Sequence, residues 1–325
     1  MKVTIKDVAK QAGVGIGTVS RVLNNGSVTE KTRAKVEKAI QMLNYKPNTY
    51  ARGLKSNRTN TIALIIPTIW HPFFSEFVHH IETYLEKNGL KLLLCNAEHN
   101  SEKEYEYIQM VKQNKVDGII GITYSHIEQY ISSSLPFVSI DRHFSEEVVY
   151  VTADNEAGGI LAAQELIKRG CQSICFIGGH QTVVNETKKR RQAFESECKK
   201  QNIHYHVLDM REPVTDLDNQ LSAFFNKHPE IDGVFAINDT MALDVIHFLN
   251  GINKSVPKDI QVIGFDGQRY SEYAPYLVSS IAQPIELMAK TAVELLINLI
   301  EHKEVAQRTI LPVQFVPGAT TLNRE

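Results

Sequence analysis

The chain has 325 residues, of which 43% are hydrophobic and 22% are charged, and its formal net charge is −2. This length suits two or three domains, and the hydrophobic fraction excludes a wholly disordered chain. No apolar run approaches the ~20 residues that span a bilayer, the N-terminus lacks the apolar core of a secretion signal, and four cysteines are too few for a disulfide framework. We therefore expect a reduced, cytoplasmic protein with no membrane partner.

The small net charge hides a strong asymmetry along the chain. Residues 1–58 contain 12 Lys/Arg and 3 Asp/Glu, a net of +9, whereas the remaining 267 residues contain 23 basic and 34 acidic side chains, a net of −11. Because the basic segment carries helical patterning, we interpret it as a folded nucleic-acid-binding head and not as a solvated tail.

Apolar residues recur at helical spacing in three stretches of a predicted first domain, residues 1–46. The predicted helices cover residues 4–11, about 16–24 and about 30–43. Thr4 can cap the first helix and Gly13 ends it. A helix, a tight turn with glycine and a second helix form the helix-turn-helix layout, whose second helix enters the major groove of DNA.

The start of the second helix is therefore expected to read base edges. Ile16 and Gly17 lie there, and Arg21 follows one turn later. Arginine can bond guanine through two hydrogen bonds, which is worth ~1–3 kcal/mol of discrimination, while Ile16 can contact only an apolar group such as a thymine methyl. Polar side chains around this surface suit contacts to the DNA backbone, namely Thr4, Thr18, Ser20 and Asn24.

The glycines of Gly13-Val-Gly15-Ile-Gly17 have an alternative interpretation as a phosphate-cradling loop. That loop follows a strand and belongs to a βαβ unit. The residues before Gly13 are predicted to be helical, so we reject a nucleotide site here.

The segments TIKDVAKQAGV and TVSRVLN, followed by NYKPN and AR-x-L, closely resemble the lactose-repressor (LacI/GalR) family of bacterial transcription regulators. The resemblance implies a DNA-binding repressor. One departure is Gly15, where the family usually has a serine that caps the recognition helix and offers a hydroxyl to phosphate.

Residues 47–59 form the predicted linker, in which Asn48 can cap a helix that is too short to be stable alone. The resemblance implies that this segment folds on the operator as a hinge helix. In that case Leu54 wedges into the minor groove, Ala51 lies at the contact between paired hinge helices, and Lys55 is a further DNA contact. Without the resemblance, Leu54 would be interpreted as ordinary linker packing.

Strand and helix signals alternate through residues 60–325. Predicted strands cover 61–66, 91–95, 117–122, 137–141, 174–178, 233–238 and 260–265, and predicted helices cover about 72–88, 101–114, 156–169, 185–201, 216–227, 239–251 and 284–302. This alternation predicts an α/β body of two doubly wound parallel-sheet subdomains with a ligand cleft between them. The predicted subdomain ranges are 60–154 with 284–311, and 155–283 with 312–325.

Ligands of such sheets bind beyond the carboxyl ends of the strands, where this sequence repeatedly places hydrogen-bonding side chains. The candidates are Asp141, Asn238, Asp239, Asp266 and Gln283. Each one alone could equally be a helix cap or a loop residue. Together they suit the hydroxyls of a sugar, and three aromatic residues after the first strand can stack on a sugar face, namely Trp70, Phe73 and Phe74.

The family resemblance extends to this body and implies a periplasmic-binding-protein-like fold. The family's effector-binding arginine lies in an Arg-x-x-Gly-aromatic pattern, which Arg190 to Phe194 match. Ala193 replaces the glycine and Arg191 adjoins, so the register between the two arginines stays open. The stretches IDR, IGFDG and PYL…QPI resemble the sucrose and ribose repressors of Gram-positive bacteria, which implies a small sugar or sugar phosphate as effector.

Signals for catalysis and metal binding are weak, so neither an enzyme nor a cofactor is predicted. His79 and His80 are adjacent on a helix and cannot face one site together. His204 and His206 can share one face of a strand, but no third ligand is near them in sequence. The spacing of Cys171 and Cys175 lacks the second pair that a zinc site needs.

The sequence thus predicts a homodimeric repressor of a carbohydrate-utilisation operon, because one recognition helix reads too few base pairs for genomic specificity. A sugar in the cleft would release it from a pseudopalindromic operator. The alternatives are a regulator that needs a corepressor, of the catabolite-control or purine-repressor type, a sugar-transport module, and a sugar- or nucleotide-acting enzyme.

Overall fold

The computed structural model describes residues 3–23, 26–45, 58–98, 100–113, 115–131, 135–144, 148–181, 183, 185–269, 271 and 273–322. The chain divides into two compact units, Met1–Asn60 and Thr61–Glu325. None of the helices in these described ranges is long and apolar enough to cross a membrane.

The first unit contains three helices, α1 (Ile5–Ala12), α2 (Ile16–Leu23) and α3 (Glu30–Met42). Their apolar faces meet in one small core, formed by Val8, Ala9, Val19, Val22, Val36 and Ala39. Helix α1 begins at a capping box, in which the Thr4 hydroxyl and backbone N–H both donate to Asp7 Oδ2, at 2.7 and 2.8 Å. Gly13 then turns the chain with φ +65°, a conformation that favours glycine.

The second unit contains two six-stranded sheets. The first sheet consists of β1 (Thr61–Ile66), β2 (Lys91–Asn96), β3 (Gly118–Gly121), β4 (Phe137–Ile140), β5 (Val149–Ala153) and β11 (Arg308–Leu311), all paired in parallel. Its faces pack against α4 (Pro72–Lys87), α5 (Ser101–Lys112) and α10 (Ile285–Ile300), and a 3-10 turn covers Glu128–Tyr130. We call this sheet with its helices the N-lobe.

The second sheet consists of β6 (Ser173–His180), β7 (His204–Arg211), β8 (Gly233–Ala236), β9 (Gln261–Asp266), β10 (Ser279–Ala282) and β12 (Gln314–Val316). Only β12 pairs antiparallel. The helices on its two faces are α6 (Asn155–Lys168), α7 (Lys188–Lys200), α8 (Leu217–Lys227) and α9 (Asp239–Gly251). We call this assembly the C-lobe.

Both sheets share one topology, which fixes where a ligand can bind. The strand orders are β11-β5-β4-β3-β1-β2 and β12-β10-β9-β8-β6-β7. The first strand of each lobe therefore lies between its second and third strands, and the crevice beyond the carboxyl ends at this switch point is the usual ligand site. The chain crosses between the lobes after β5, after β10 and between β11 and β12.

All seven predicted strands are present, but the sequence missed five others: β5, β7, β10, β11 and β12. Strand β10 shows why, because it begins with two serines and lacks the apolar signal of a buried strand. Ser279 is nevertheless fully buried, since its hydroxyl lies 2.7 Å from that of Thr321 and so keeps a hydrogen bond in the core.

Candidate functional site

In the first unit, the exposed face of α2 is the candidate DNA-binding surface. Val19 and Val22 point into the core, which leaves Ile16, Gly17 and Arg21 exposed on the other side. Thr18 and Ser20 are half-buried at its edge, and Thr4 is exposed at the start of α1. The residues predicted to read bases thus share one solvent-facing surface, as a recognition helix requires.

Five predicted DNA-contacting residues lie outside the described residues, namely Asn24, Asn48, Ala51, Leu54 and Lys55. Their roles stay predictions from the sequence.

In the second unit, a cavity of about 260 Å³ lies between the lobes, beyond the carboxyl ends of the strands. It is lined from the N-lobe by Thr68, His71, Phe73, Phe74, Tyr124 and Asp141, and from the C-lobe by Gly179, Gln181, Asn185, Thr187, Arg190, Glu212, Ile237, Asn238 and Asp266, with Gln283 between the lobes. Seven of the nine predicted effector residues therefore meet here although up to 210 positions separate them in sequence.

Arg190 is the central cation of the cavity and is only 4% exposed. Its Nε donates to Asn155 Oδ1 at 2.6 Å and its Nη1 donates to the Ile237 carbonyl at 2.9 Å, while the guanidinium lies 3.6 Å from the centre of the Phe265 ring. Burial lowers the pKa of Arg190, and Asp266 and Asp141 oppose this shift. Of the two arginines between which the sequence left the register open, Arg190 lines this cavity, whereas Arg191 pairs with Asp209 and Glu195 and lines the adjoining one.

Asp266 ends β9 with an unusual φ of +113° and lies in the cavity wall, 4% exposed. Gln283 Nε2 donates to its Oδ1 at 2.8 Å. Burial raises the pKa of Asp266, whereas Arg190 and His71 lower it. The last residue of β9 and the residue that follows β10 thus form one hydrogen-bonded pair at the cavity.

Asp141 follows β4 and adopts a left-handed conformation with φ +54°. The Thr152 hydroxyl donates to its Oδ1 at 2.7 Å, which fixes the carboxyl group in the cavity wall. Burial raises the pKa of Asp141 and the Arg190 charge opposes it. A carboxyl group held this way can accept hydrogen bonds from ligand hydroxyls.

Two predicted effector contacts are not among the cavity-lining residues. Trp70 is 92% exposed and lies two residues before α4 begins at Pro72. Asp239 is buried behind the cavity wall, where its Oδ2 accepts from the Gln268 backbone N–H at 2.7 Å. The roles of Trp70 and Asp239 as effector contacts stay predictions from the sequence, and the structure shows Asp239 supporting the loop after β9.

His71 lines the cavity but was not predicted. It precedes α4 in the N-lobe, and its Nε2 lies 3.2 Å from Thr240 Oγ1 and 3.4 Å from Asn238 Nδ2 in the C-lobe. Asn238 itself caps α9 by accepting from the Met241 N–H at 2.8 Å. The sequence offered one signal for His71: it lies five residues after the end of β1, and the predicted cavity residues were chosen because they lie near strand ends.

Several other lining residues were also missed. Tyr124 and Gln181 follow strands that the sequence does predict, so the rule used for Asp141 would have found them. Glu212 follows β7, a strand that was not predicted, and its carboxyl group accepts a hydrogen bond from Gln181 Nε2.

A second cavity of about 280 Å³ adjoins the first on the C-lobe side. The two cavities share Gly179, Gln181, Asn185, Thr187 and Ile237. The second one continues to Lys188, Arg191 and Asp209. A ligand larger than the first cavity can therefore extend in this direction.

Family models match both parts of the chain. Residues 4–48 match the bacterial regulatory proteins of the lacI family, and residues 163–321 match a periplasmic binding protein-like domain. The sucrose operon repressor of Streptococcus mutans is 36% identical, over 98% of this chain and 99% of that protein. The ribose operon repressor of Halalkalibacterium halodurans is 34% identical, over 99% of this chain and 98% of that protein.

Solved structures share the fold. The lac repressor dimer bound to operator and the anti-inducer ONPF has a TM-score of 0.85 and 24% identity, and the match covers 99% of this chain and 100% of that one. A periplasmic binding protein/LacI transcriptional regulator from Alkaliphilus metalliredigens, complexed with D-xylulofuranose, has a TM-score of 0.73 and 29% identity, over 81% of this chain and 100% of that one. With its helix-turn-helix unit and its two-lobed body, this chain belongs to the lacI family of bacterial regulatory proteins.

Proposed function

We propose that this protein represses a carbohydrate-utilisation operon and leaves its pseudopalindromic operator when a neutral sugar binds between the lobes. The single observation that carries the ligand class is the convergence of Asp141, Arg190 and Asp266 on one cavity. Charged donors and acceptors in a largely buried wall are the groups that replace the hydration of ligand hydroxyls.

The aromatic side of the cavity supports the same ligand class. Phe73 and Phe74 line the cavity from α4 while packing into the N-lobe core, so their rings are held rigidly. An apolar surface opposite hydrogen-bonding groups suits a sugar, whose ring has apolar C–H faces and polar edges. The names of the two relatives, repressors of sucrose and ribose operons, agree with this proposal.

The charge of the cavity favours a neutral sugar over a sugar phosphate. Asp141, Glu212 and Asp266 line it, together with one arginine, Arg190, whose Nε and Nη1 donate to Asn155 and to the Ile237 carbonyl. A phosphate dianion placed there would lie beside three carboxyl groups and only one guanidinium group, so repulsion would oppose its binding. The sequence alone was compatible with a neutral sugar and with a sugar phosphate, and the charge of the cavity favours the neutral sugar.

The volume limits the size of the ligand. The first cavity, about 260 Å³, is smaller than the ~300–1,000 Å³ of sites for drug-sized ligands, which favours a monosaccharide. A disaccharide would place its second ring in the adjoining cavity of about 280 Å³.

We infer that this site binds its ligand without chemical change. Asp141 and Asp266 are engaged as acceptors, from Thr152 and Gln283, and the relatives are named as repressors. Prolonged incubation of the sugar with the protein should return the sugar unaltered by chromatography, and a stoichiometric product would indicate catalysis instead.

Control of the operator requires that the ligand alters the affinity of the heads. We infer a homodimer, because two recognition helices are needed to read a pseudopalindrome of adequate length. Closure of the lobes on the sugar would then alter operator affinity through residues 47–59, and a coupling of only ~1–3 kcal/mol between the two sites is sufficient.

A thermal-shift screen of the full chain tests the ligand class, since a bound ligand stabilises the folded state by mass action. Neutral mono- and disaccharides should raise the melting temperature, and their phosphorylated counterparts should not. A larger shift with phosphosugars would contradict the electrostatic argument. Band-shift assays on operator DNA with the same sugar give the sign of the response, because stronger binding would indicate a corepressor.

A further inference from the structure

Three metal-ligating side chains converge on the outer edge of the C-lobe. His206, His228 and Glu230 each offer one ligand atom, and these three atoms lie within 4.8 Å of one another. His206 Nε2 is 2.9 Å from Glu230 Oε1, and His228 Nδ1 is 3.7 Å from the same oxygen. These spacings match those between ligands of one ion, since bonds of about 2.0–2.1 Å at tetrahedral angles separate donor atoms by little more than 3 Å.

Both imidazole rings are held in place by the fold. His206 belongs to β7 and is paired with Cys175 of β6. His228 follows α8, where its backbone N–H donates to the Phe224 carbonyl at 3.0 Å. The rings of His206 and His228 stack with their centroids 3.8 Å apart. The Phe224 ring makes an edge contact with the His228 ring, and their centroids are 5.2 Å apart. The fold therefore holds the two imidazole rings next to each other before any ion binds.

The hydrogen bonding around His206 is incomplete. Its Nε2 is buried and lacks a properly aligned hydrogen-bond partner among the described residues, although the Glu230 carboxylate is close. Most buried polar atoms are satisfied, and each exception needs a reason. A cation bound by His206 Nε2 and Glu230 Oε1 would give the buried nitrogen a partner.

We propose that His206, His228 and Glu230 form a binding site for one divalent transition-metal ion, most suitably Zn²⁺. Two imidazole nitrogens and one carboxylate oxygen suit zinc, whereas Mg²⁺ and Ca²⁺ prefer sites made of oxygen atoms alone. Glu230 is half-exposed, so water can occupy the fourth position. The spacing of His204 and His206 hinted at such a site, and its missing ligands come from the residues after α8.

This site is separate from the sugar cavity. His206 lies in the first half of β7, and six residues of chain lead from it to Glu212 in the cavity wall, about 20 Å at the rise of a strand. The ion would join the edge strand of the sheet to the segment between α8 and β8. We therefore expect it to stabilise the C-lobe without changing which sugar binds.

The test is metal titration of the full-length protein after chelator treatment. Calorimetry should find one Zn²⁺ per chain, and Co²⁺ should give the visible absorption of a tetrahedral ion. His206→Ala and His228→Ala should each weaken binding at least about tenfold, because even the loss of outer-shell partners costs that much. Glu230→Gln keeps the size of the side chain and should also weaken binding.

His126→Ala is the matched control. His126 and Glu128 have the same His-x-Glu spacing as His228 and Glu230, with Nδ1 3.9 Å from Oε1, but no second histidine joins them in the described cluster. This variant should bind Zn²⁺ as the wild type does. Failure of Zn²⁺ to bind, equal binding by His206→Ala and wild type, or a stoichiometry of one ion per two chains would overturn the proposal.

Discussion

At the scale of single residues, the least ordinary group is the Asp239 carboxyl behind the cavity. It is 2% exposed, its Oδ1 has no hydrogen-bond partner among the described residues, and Gly264 packs so closely that an added Cβ would lie 2.1 Å from that oxygen. Burial and the nearby Asp266 raise the pKa of Asp239 to about 8. We therefore expect Asp239 to carry a proton at neutral pH.

This pKa predicts a definite dependence of stability on pH. The folded state retains the Asp239 proton up to about pH 8, whereas the unfolded state loses it near the ordinary aspartate pKa of 3.8. The contribution of the Asp239 proton to the free energy of unfolding is complete below the pKa of the unfolded state. It is lost as the pH rises through the folded pKa, and the free energy of unfolding falls by up to about 1.4 kcal/mol per pH unit. Denaturant unfolding between pH 5 and 8 should show this slope in wild type and a flatter one in Asp239→Asn. Equal slopes would contradict the raised pKa.

Arg21 is the exposed residue of α2 that can distinguish base pairs. Arg21→Ala should cost about 1–3 kcal/mol on the specific operator, because a bidentate contact to guanine is lost, while binding to random DNA falls much less. Competition binding on the two kinds of DNA measures the difference. An unchanged ratio of the two affinities would remove Arg21 from base reading.

At the scale of elements, the start of α2 is weakly capped. The Gly15 carbonyl accepts from the Thr18 and Val19 N–H groups at 2.9 and 3.2 Å, so Gly15 occupies the cap position. A Cβ there meets nothing within 4 Å. Gly15→Ser should therefore stabilise the head by a few tenths of a kcal/mol, about the difference between the two caps, and raise operator affinity.

The neighbouring turn provides the matched control. Gly13 also has open space around it, but its φ of +65° strains any other residue. Gly13→Ser should destabilise the head by roughly 1–2 kcal/mol. Thermal unfolding followed by circular dichroism, with operator binding in parallel, should move the two variants in opposite directions. Movement in the same direction would show that capping does not limit α2.

The contact of His71 with α9 joins the starts of two helices from different lobes. His71→Phe keeps the ring that packs 5.3 Å from Phe74 but loses the Nε2 hydrogen bonding to Thr240. Loss of this hydrogen bond between the lobes should cost about 1 kcal/mol of the free energy of the sugar-bound state. Sugar binding should therefore weaken about fivefold. His79→Phe, at an exposed position of α4, should bind like wild type in calorimetry. Equal affinities for all three proteins would exclude this role.

Much of this architecture follows from local sequence signals. The helices that cover the sheets were predicted to within a few residues because their apolar faces repeat at helical spacing, and Asp141, Asn238 and Asp266 were placed at the cavity because they follow predicted strands. Strand β10 was not predicted, because its buried Ser279 depends on a hydrogen bond to Thr321, which is distant in sequence. The burial of Asp239 behind the cavity was not predicted either, because it depends on close packing against Gly264. The contact of His71 with Thr240 was also not predicted, because the two residues are 169 positions apart in sequence and meet only in the folded protein.

At the scale of the whole molecule, a basic segment of net charge +9 precedes a body of net charge −11. The basic segment supplies the affinity for phosphates, which falls steeply with salt, and the acidic body favours an uncharged ligand over an anionic one. Family membership makes the protein a DNA-binding regulator, and the cavity supports the proposed neutral sugar as its signal.

The most direct test of the central claim is the fluorescence anisotropy of a labelled operator bound by the full-length protein, titrated with the neutral sugar found by thermal shift. Saturating sugar should lower operator affinity at least fivefold, a coupling within the ~1–3 kcal/mol range of allosteric proteins. Asp266→Asn should bind the operator like wild type without sugar and should lose the response. An operator complex that persists at saturating sugar, or a response retained by Asp266→Asn, would contradict the account.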